Sequence, residues 1–199
     1  MSPRNSALEA RRTRQRILDH SVMVASAEGL EGLTIGRLAS DLDMSKAGIL
    51  GHFGAKEGLQ LAVVEAAAEL FAREVPQRVP KTPPGLQRLR AVCEAWVSYL
   101  ERDVLPGGCF FTAAATEFDG RDGPVRDAVA GVHAQWQHDL RRHIQTAVEA
   151  ADLPADTDPD QLVYELVGIM LALNQLRQLQ RDPLAATRAR RALNRLLDT

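Results

Sequence analysis

The chain has 199 residues, 45% hydrophobic and 25% charged, with a formal net charge of −2. That is enough apolar material to bury a core in one or two domains, and it excludes a mostly disordered chain or a generic polyanion binder. No apolar run approaches the roughly 20 residues that span a bilayer, and Met1–Glu9 lacks the apolar centre of a secretory leader, so the chain is read as soluble and cytoplasmic, with no membrane partner. Cys93 and Cys109 are the only cysteines. They are too few for a disulfide framework and are read as small buried apolar residues, with a redox-sensing thiol as the alternative. Charge is uneven along the chain: Arg4, Arg11, Arg12, Arg14 and Arg16 crowd the N-terminus, opposed there only by Glu9. Such a local basic patch on an acidic chain is a nucleic-acid signal, set against the alternative of a solvated arginine-rich end.

Taken in order, the segments all read as helix. The first runs from about Ala7 to Glu28, with Ile17, Leu18, Val22 and Ala25 on one face and Gly29 as its stop. Thr34 is an N-cap for a short helix through Leu42, and Ser45 is an N-cap for another ending near Phe53. Lys56 opens a longer helix through Leu59, Val63, Ala67 and Phe71, ended near Val75 by a run of prolines. Thr82-Pro83 is expected to cap the next helix, which carries Leu89, Trp96 and Leu100 and is broken by Pro106-Gly107-Gly108. Cys109–Phe118 is a short apolar helix. Pro124 starts a long helix whose Val125, Val129, Val132, Trp136, Leu140 and Ile144 keep helical spacing. Asp158-Pro159-Asp160-Gln161 has the form of a capping box before a helix from Leu162 to Gln180, and Asp182-Pro183 caps the last helix. The expected fold class is all-α, with nine helices. The chain divides at 1–55, which holds the short helices, and 56–199, a larger helical domain, joined through helix rather than through a flexible linker.

The informative stretch is 34–53, where two short capped helices meet at a tight turn. Ile35, Leu38, Leu42, Met44 and Ile49 are spaced to share one small core. The outward positions, Arg37, Ser40, Ser45, Lys46, Ala47, Gly48 and His52, are polar or small. A helix without bulk on its exposed first turn can sit deep in a major groove. Its free amides, with Lys46, suit phosphate. An ordinary helical hairpin is the competing reading.

From Thr13 to Leu61 the sequence resembles the N-terminal domain of the tetracycline-repressor-like (TetR) transcriptional regulators. The residues that carry the resemblance are Arg16-Ile17-Leu18, Ala25, Gly29, Thr34-Ile35, Leu38-Ala39, Ser45-Lys46, His52-Phe53 and Lys56-Glu57-Gly58-Leu59. It implies that Thr34 and Arg37 contact DNA backbone and that Ser45, Lys46, Ala47 and Gly48 face the groove. It also implies that His52 lies near a phosphate and that Lys56 holds the flanking backbone. Leu50 and Gly51 depart from the aromatic pair common in the family, which removes one positioning contact. The segment from Gly107-Gly108-Cys109 to Arg126 is similar to one group of the family's ligand-binding domains. The implied function is a ligand-responsive repressor that binds a palindromic double-stranded DNA operator and is released by a small apolar or aromatic effector. The implied assembly is a homodimer through the last two helices, and no cofactor is implied.

The residues of the second half permit this. Leu162, Leu166, Ile169, Met170, Leu173, Leu176 and Leu179 cover more than one face of their helix, so it needs two partners, the monomer core and a second subunit. The last helix offers Leu193, Leu196 and Leu197 beside Arg188, Arg190, Arg191 and Arg195. Phe71, Trp96, Tyr99, Phe110, Phe111, Phe118, His133, Trp136, Met170 and Asn174 are the candidate ligand-binding residues, each with ordinary core as its alternative. The rival functions are an enzyme, pairing Cys109 with His133 or His138, and a helical small-molecule-binding protein without DNA binding. His138 and His143 are five apart and turn away from each other. Asp139 and His143 share a face and read as a surface salt bridge, so neither catalytic residues nor a metal site are assigned. With the aromatic positioning contact missing, the arginines near the N-terminus are expected to reach phosphates or a minor groove. Replacing Arg11, Arg12 and Arg14 with Ala should weaken operator binding and flatten its salt dependence; an unchanged slope in a salt titration would sink this expectation.

Overall fold

The structure is a computed structural model that describes residues 3–198, with side chains from residue 7 onward. Nine helices make up the described residues, with no strand among them: α1 (Pro3–Glu28), α2 (Ile35–Asp41), α3 (Lys46–Phe53), α4 (Lys56–Glu74), α5 (Leu86–Glu101), α6 (Phe110–Phe118), α7 (Pro124–Glu149), α8 (Pro159–Gln178) and α9 (Ala185–Leu197). The all-α reading therefore holds. No helix among the described residues is long and apolar enough to cross a membrane.

Several boundaries follow the capping chemistry. Thr34 Oγ1 accepts from Arg37 N at 3.1 Å, and Ser45 Oγ accepts from Gly48 N at 3.0 Å. Asp158 Oδ1 accepts from Asp160 N and Gln161 N. Gln161 does not complete a capping box, because its amide turns along the helix to Glu165. Two expectations are corrected. Helix α5 is not capped by Thr82-Pro83: it starts at Leu86 after Gly85, whose φ of 130° is open to glycine alone, and Gly85 makes no side-chain cap. The residue at the N-cap of α9, Leu184, also has no side-chain cap; Asp182 instead accepts from Leu184 N within the turn before it.

Chain contacts group into two compact units. The first comprises residues 1–69 and 105–129, and the second 70–104 and 130–199. In the first unit α1 packs on α6. Ile17, Leu18, Val22 and Ala25 are buried as their spacing requires, together with Leu30, Leu33, Leu38, Ile49, Leu59, Val63 and Phe110. The loop before α6 lies against the end of α1 so closely that a Cβ on Gly107 would stand 1.6 Å from the Ser26 carbonyl oxygen.

In the second unit α5, α8 and α9 pack on one another, burying Leu89, Val92, Val97, Leu166, Met170, Leu173 and Leu193. Ion pairs edge this core. Arg190 of α9 is bound by Glu94 and Glu101 of α5, and Arg177 of α8 reaches Asp103 at 2.8 Å. Arg190 is thus half-buried and paired rather than exposed, while Arg188 is exposed and pairs with Asp182.

Gly107→Ala should destabilise the protein by about 1–3 kcal/mol, since the blocking atom is backbone and cannot yield. Gly131→Ala, where an added Cβ meets nothing within 4 Å inside α7, should stabilise by about 1 kcal/mol. Thermal melts of the two variants should move in opposite directions.

Candidate nucleic-acid interface

The turn between α2 and α3 is built by backbone geometry. Asp43 takes φ 53°, a left-handed conformation that aspartate tolerates better than most residues. Met44 N then donates to Ala39 O at 2.9 Å and Asp43 N to Ser40 O at 3.4 Å, which is the Schellman pattern closing α2. Leu38 of α2 and Ile49 of α3 are fully buried, while Ile35, Leu42 and Met44 are half-buried, so the five apolar residues do form the small core between the helices. This holds α3 with its first turn outward. Ser45, Lys46 and Ala47 are exposed and Gly48 is half-exposed. Thr34 and Ser45 each use an oxygen lone pair on a helix amide, which leaves each hydroxyl hydrogen able to donate to a phosphate.

The predicted basic contacts divide into two kinds. Arg37 Nε donates to Asp41 at 2.7 Å and its terminal nitrogens to Glu28 at 3.1 and 3.2 Å. Asp41 also meets His20 Nε2 at 3.0 Å, and bonds from His20 and Arg37 hold its carboxyl below the usual range. Lys56 Nζ donates to the Glu31 carbonyl at 2.7 Å and the Glu31 carboxylate at 3.0 Å. Both cations are thus already paired with carboxylates of the chain itself, at part-exposed positions. Lys46, at the first position of α3, lies over Gly36 and keeps its ammonium at the surface. Arg11, Arg12 and Arg16 are exposed, and the Arg14 guanidinium lies over the Phe53 ring, 5.2 Å from its centroid. Arg4 lies outside the residues whose side chains are described. His52 is half-buried beside Phe53, Leu50 is exposed, and Gly51 faces open space.

The loop that launches α2 is held by a residue the sequence reading passed over. Glu117 of α6 accepts from Leu30 N at 2.7 Å and from Glu31 N at 2.9 Å. Glu31 in turn accepts from Gln60 and Lys56 and pairs with Arg121 at 3.4 Å. Bonds from Gln60 first, then Lys56, lower its carboxyl pKa. A signal was present in the sequence: Gln60 is a polar residue on the buried face of an apolar helix.

The candidate ligand-binding residues fall into both units. In the second, Phe71, Trp96, Tyr99 and Trp136 meet edge to face, with Phe71–Trp136 centroids 5.0 Å and Trp96–Trp136 centroids 5.2 Å apart. Met170 and Asn174 are buried on α8 and His133 is half-buried on α7. Phe110, Phe111 and Phe118 are buried in the first unit. The indole nitrogens of Trp96 and Trp136 are buried without a hydrogen-bond partner, which is unusual for tryptophan. His143 is buried, not part of a surface pair; Asp139 instead meets Arg142 at 3.7 Å. Burial pushes the Cys93 thiol up to about 12 and raises Cys109 as well, which opposes the thiolate a redox sensor needs.

Residues 17–63 match the family model of bacterial regulatory proteins of the tetR family, and residues 85–193 match that of a tetracyclin repressor-like C-terminal domain. The chain belongs to the TetR family. It is a DNA-binding transcriptional regulator, not an enzyme. It is 26% identical over 158 residues to the HTH-type transcriptional regulator AcrR of Shigella flexneri, covering 77% of this chain and 72% of that one. A TetR transcriptional regulator from Chloroflexus aurantiacus J-10-FL superposes with a TM-score of 0.84 at 26% identity, over 96% of this chain and 94% of the other. AibR in complex with isovaleryl coenzyme A and operator DNA shares the fold, with a TM-score of 0.74 at 19% identity over 92% and 97% of the two chains.

In the TetR-type DNA-binding unit, then, α6 supplies the acceptor for the loop ahead of α2. Glu117→Ala should cost about 1–3 kcal/mol, because two part-buried amides lose their partner. Amide exchange at Leu30 and Glu31 should speed up. Unchanged protection of these two amides would contradict the assignment.

Proposed function

We propose that this TetR-family chain is a cytoplasmic homodimeric repressor that binds a palindromic operator and is released by a small effector. The observation that carries the DNA-binding part is the exposed first turn of α3. Ser45, Lys46, Ala47 and Gly48 offer helix amides, a surface ammonium and no bulk, the surface that suits a major groove. Thr34, Arg37, His52 and Lys56 remain candidate backbone contacts. Arg37 and Lys56 reach DNA only by exchanging their present carboxylate partners, so Lys46 and the arginines of α1 carry the larger share of phosphate contact in this reading. The functional division follows 1–55 for DNA and 56–199 for regulation.

Dimerisation is supported by α8. Its inner side buries Leu162, Leu166, Met170 and Leu173, while Tyr164 is 74%, Leu171 44% and Leu179 74% exposed on the chain alone. Leu184, just before α9, is likewise exposed, at 52%. Exposed apolar residues of this kind are suited to an isologous interface between two copies. The effector is assigned to the aromatic cluster of Phe71, Trp96, Tyr99 and Trp136, whose buried indole N–H groups await acceptors. His133, Met170 and Asn174 of the same unit are further candidates, and Phe110, Phe111 and Phe118 of the first unit are candidates taken by themselves. Bound effector would favour a dimer geometry in which the two copies of α3 no longer match successive major grooves. AibR, whose fold is shared, is bound both to a small ligand and to operator DNA.

Selection from random duplexes should enrich an inverted repeat for the wild type. Leu171→Glu should sediment as a monomer and lose most of its operator affinity. Enrichment of a single asymmetric site by a monomeric wild type would overturn the dimeric reading.

A further inference from the structure

A cleft of the second unit shares only Trp136 with the candidate ligand-binding residues. It has a volume of about 80 Å³ and is walled by Pro76, Val92 and Leu140. A water needs only about 10–15 Å³ of such space, so the cleft admits several waters, or one short organic molecule. Its polar lining is Arg88 of α5 with Asp139, Arg142 and His143 of α7. His143 is only 6% exposed, and its Nδ1 is buried with no hydrogen-bond partner. A buried ring nitrogen without a partner is costly and calls for a ligand or water. Trp136, another residue of the lining, also carries a buried nitrogen without a partner, Nε1.

We propose that this cleft binds the carboxylate of a small organic acid, and that such an acid is the effector class of the protein. The charge balance favours an anion. Two guanidiniums face one carboxylate, and that carboxylate, Asp139, is already within 3.7 Å of Arg142. Arg88 donates Nη1 to the Pro80 carbonyl at 2.8 Å, which anchors it and leaves its other donors available. The apolar walls favour a short hydrocarbon tail over a fully hydrated ion. Trp136 belongs both to the cleft and to the aromatic cluster, so a carboxylate in the cleft sits at the edge of the apolar site assigned above. The role as effector rests on the ligand-responsive reading of the regulatory half; the binding site does not.

The site has a protonic signature. Burial, then Arg142 and Arg88, lowers the His143 pKa, with Asp139 opposing, so the imidazole is neutral near pH 7. A bound carboxylate reverses the local field and raises it. Binding should therefore take up protons and tighten as pH falls through the His143 titration.

The test uses the full-length protein and butyrate, with inorganic phosphate and butyramide as controls. Calorimetry should show saturable butyrate binding, with heats that vary among buffers as proton uptake requires. Arg142→Gln, a change at an exposed side chain, should weaken butyrate by about tenfold or more. Asp139→Asn should tighten it. Butyrate should lower operator affinity in an anisotropy assay, and should do so less in Arg142→Gln. Equal binding of butyramide or of phosphate would overturn the carboxylate assignment, as would no saturation by butyrate. If a neutral compound releases the operator while butyrate does not bind, this inference fails and the ligand-responsive reading stands. If butyrate binds as described but neither it nor any other compound tested alters operator affinity, the ligand-responsive reading fails and takes the effector role with it.

Discussion

One carboxylate organises the DNA-binding unit. The loop after α1 must turn the chain toward α2, and its amides at Leu30 and Glu31 have no helix to serve them. Glu117, 87 residues from Leu30 along the chain, accepts both. A backbone amide buried without a partner costs about 1–3 kcal/mol, so the loop keeps this shape only while α6 is in place. Gly107 tightens the same junction, because the chain before α6 touches the α1 backbone where no side chain fits. The first unit is consequently not the N-terminal segment alone. It needs residues 105–129 to be complete, and these lie in the stretch assigned to regulation. A shift of α6 would therefore reach the loop before α2 directly, through two hydrogen bonds.

The electrostatics of this unit are more selective than its composition implies. Counting arginines and lysines makes Arg37, Lys46 and Lys56 equivalent. In the folded chain Arg37 is clamped by Asp41 and Glu28 and Lys56 by Glu31, whereas Lys46 is exposed and joins no ion pair among the described residues. These ion pairs are part-exposed and contribute little stability each. Their larger effect is on availability: a phosphate that approaches Arg37 or Lys56 must compete with a carboxylate already in contact, whereas at Lys46 it competes with water.

The second unit combines a conventional apolar core with buried polar groups that lack partners. Trp96, Trp136 and His143 each place a nitrogen where water does not reach it. Residues chosen only for packing would carry no such atoms, since leucine or phenylalanine would fill the space without an unmet hydrogen bond. Their grouping around α5 and α7 marks where a ligand's polar atoms would gain most.

Sequence alone determined the local structure and the family. The caps at Thr34, Ser45 and Asp158, the prolines that end α4, and the 3.6-residue spacing of Ile17, Leu18, Val22 and Ala25 are short-range chemistry, legible without a fold. The resemblance from Thr13 to Leu61 followed from the same local residues. Where local rules competed, they chose wrongly: Thr82-Pro83 has the form of a cap, yet Gly85 opens α5. What only the tertiary structure decided is which groups meet across long separations. Nothing near Glu117 announces that it serves the loop at 29–31, nothing near Lys56 that Glu31 already pairs with it, and His143 reads as a surface residue of α7 until the fold buries it beside Arg88 and Val92 of α5. Hydrogen bonds and burial between residues far apart in the chain are fixed by packing geometry, and packing is set by the whole fold at once rather than by any window of sequence.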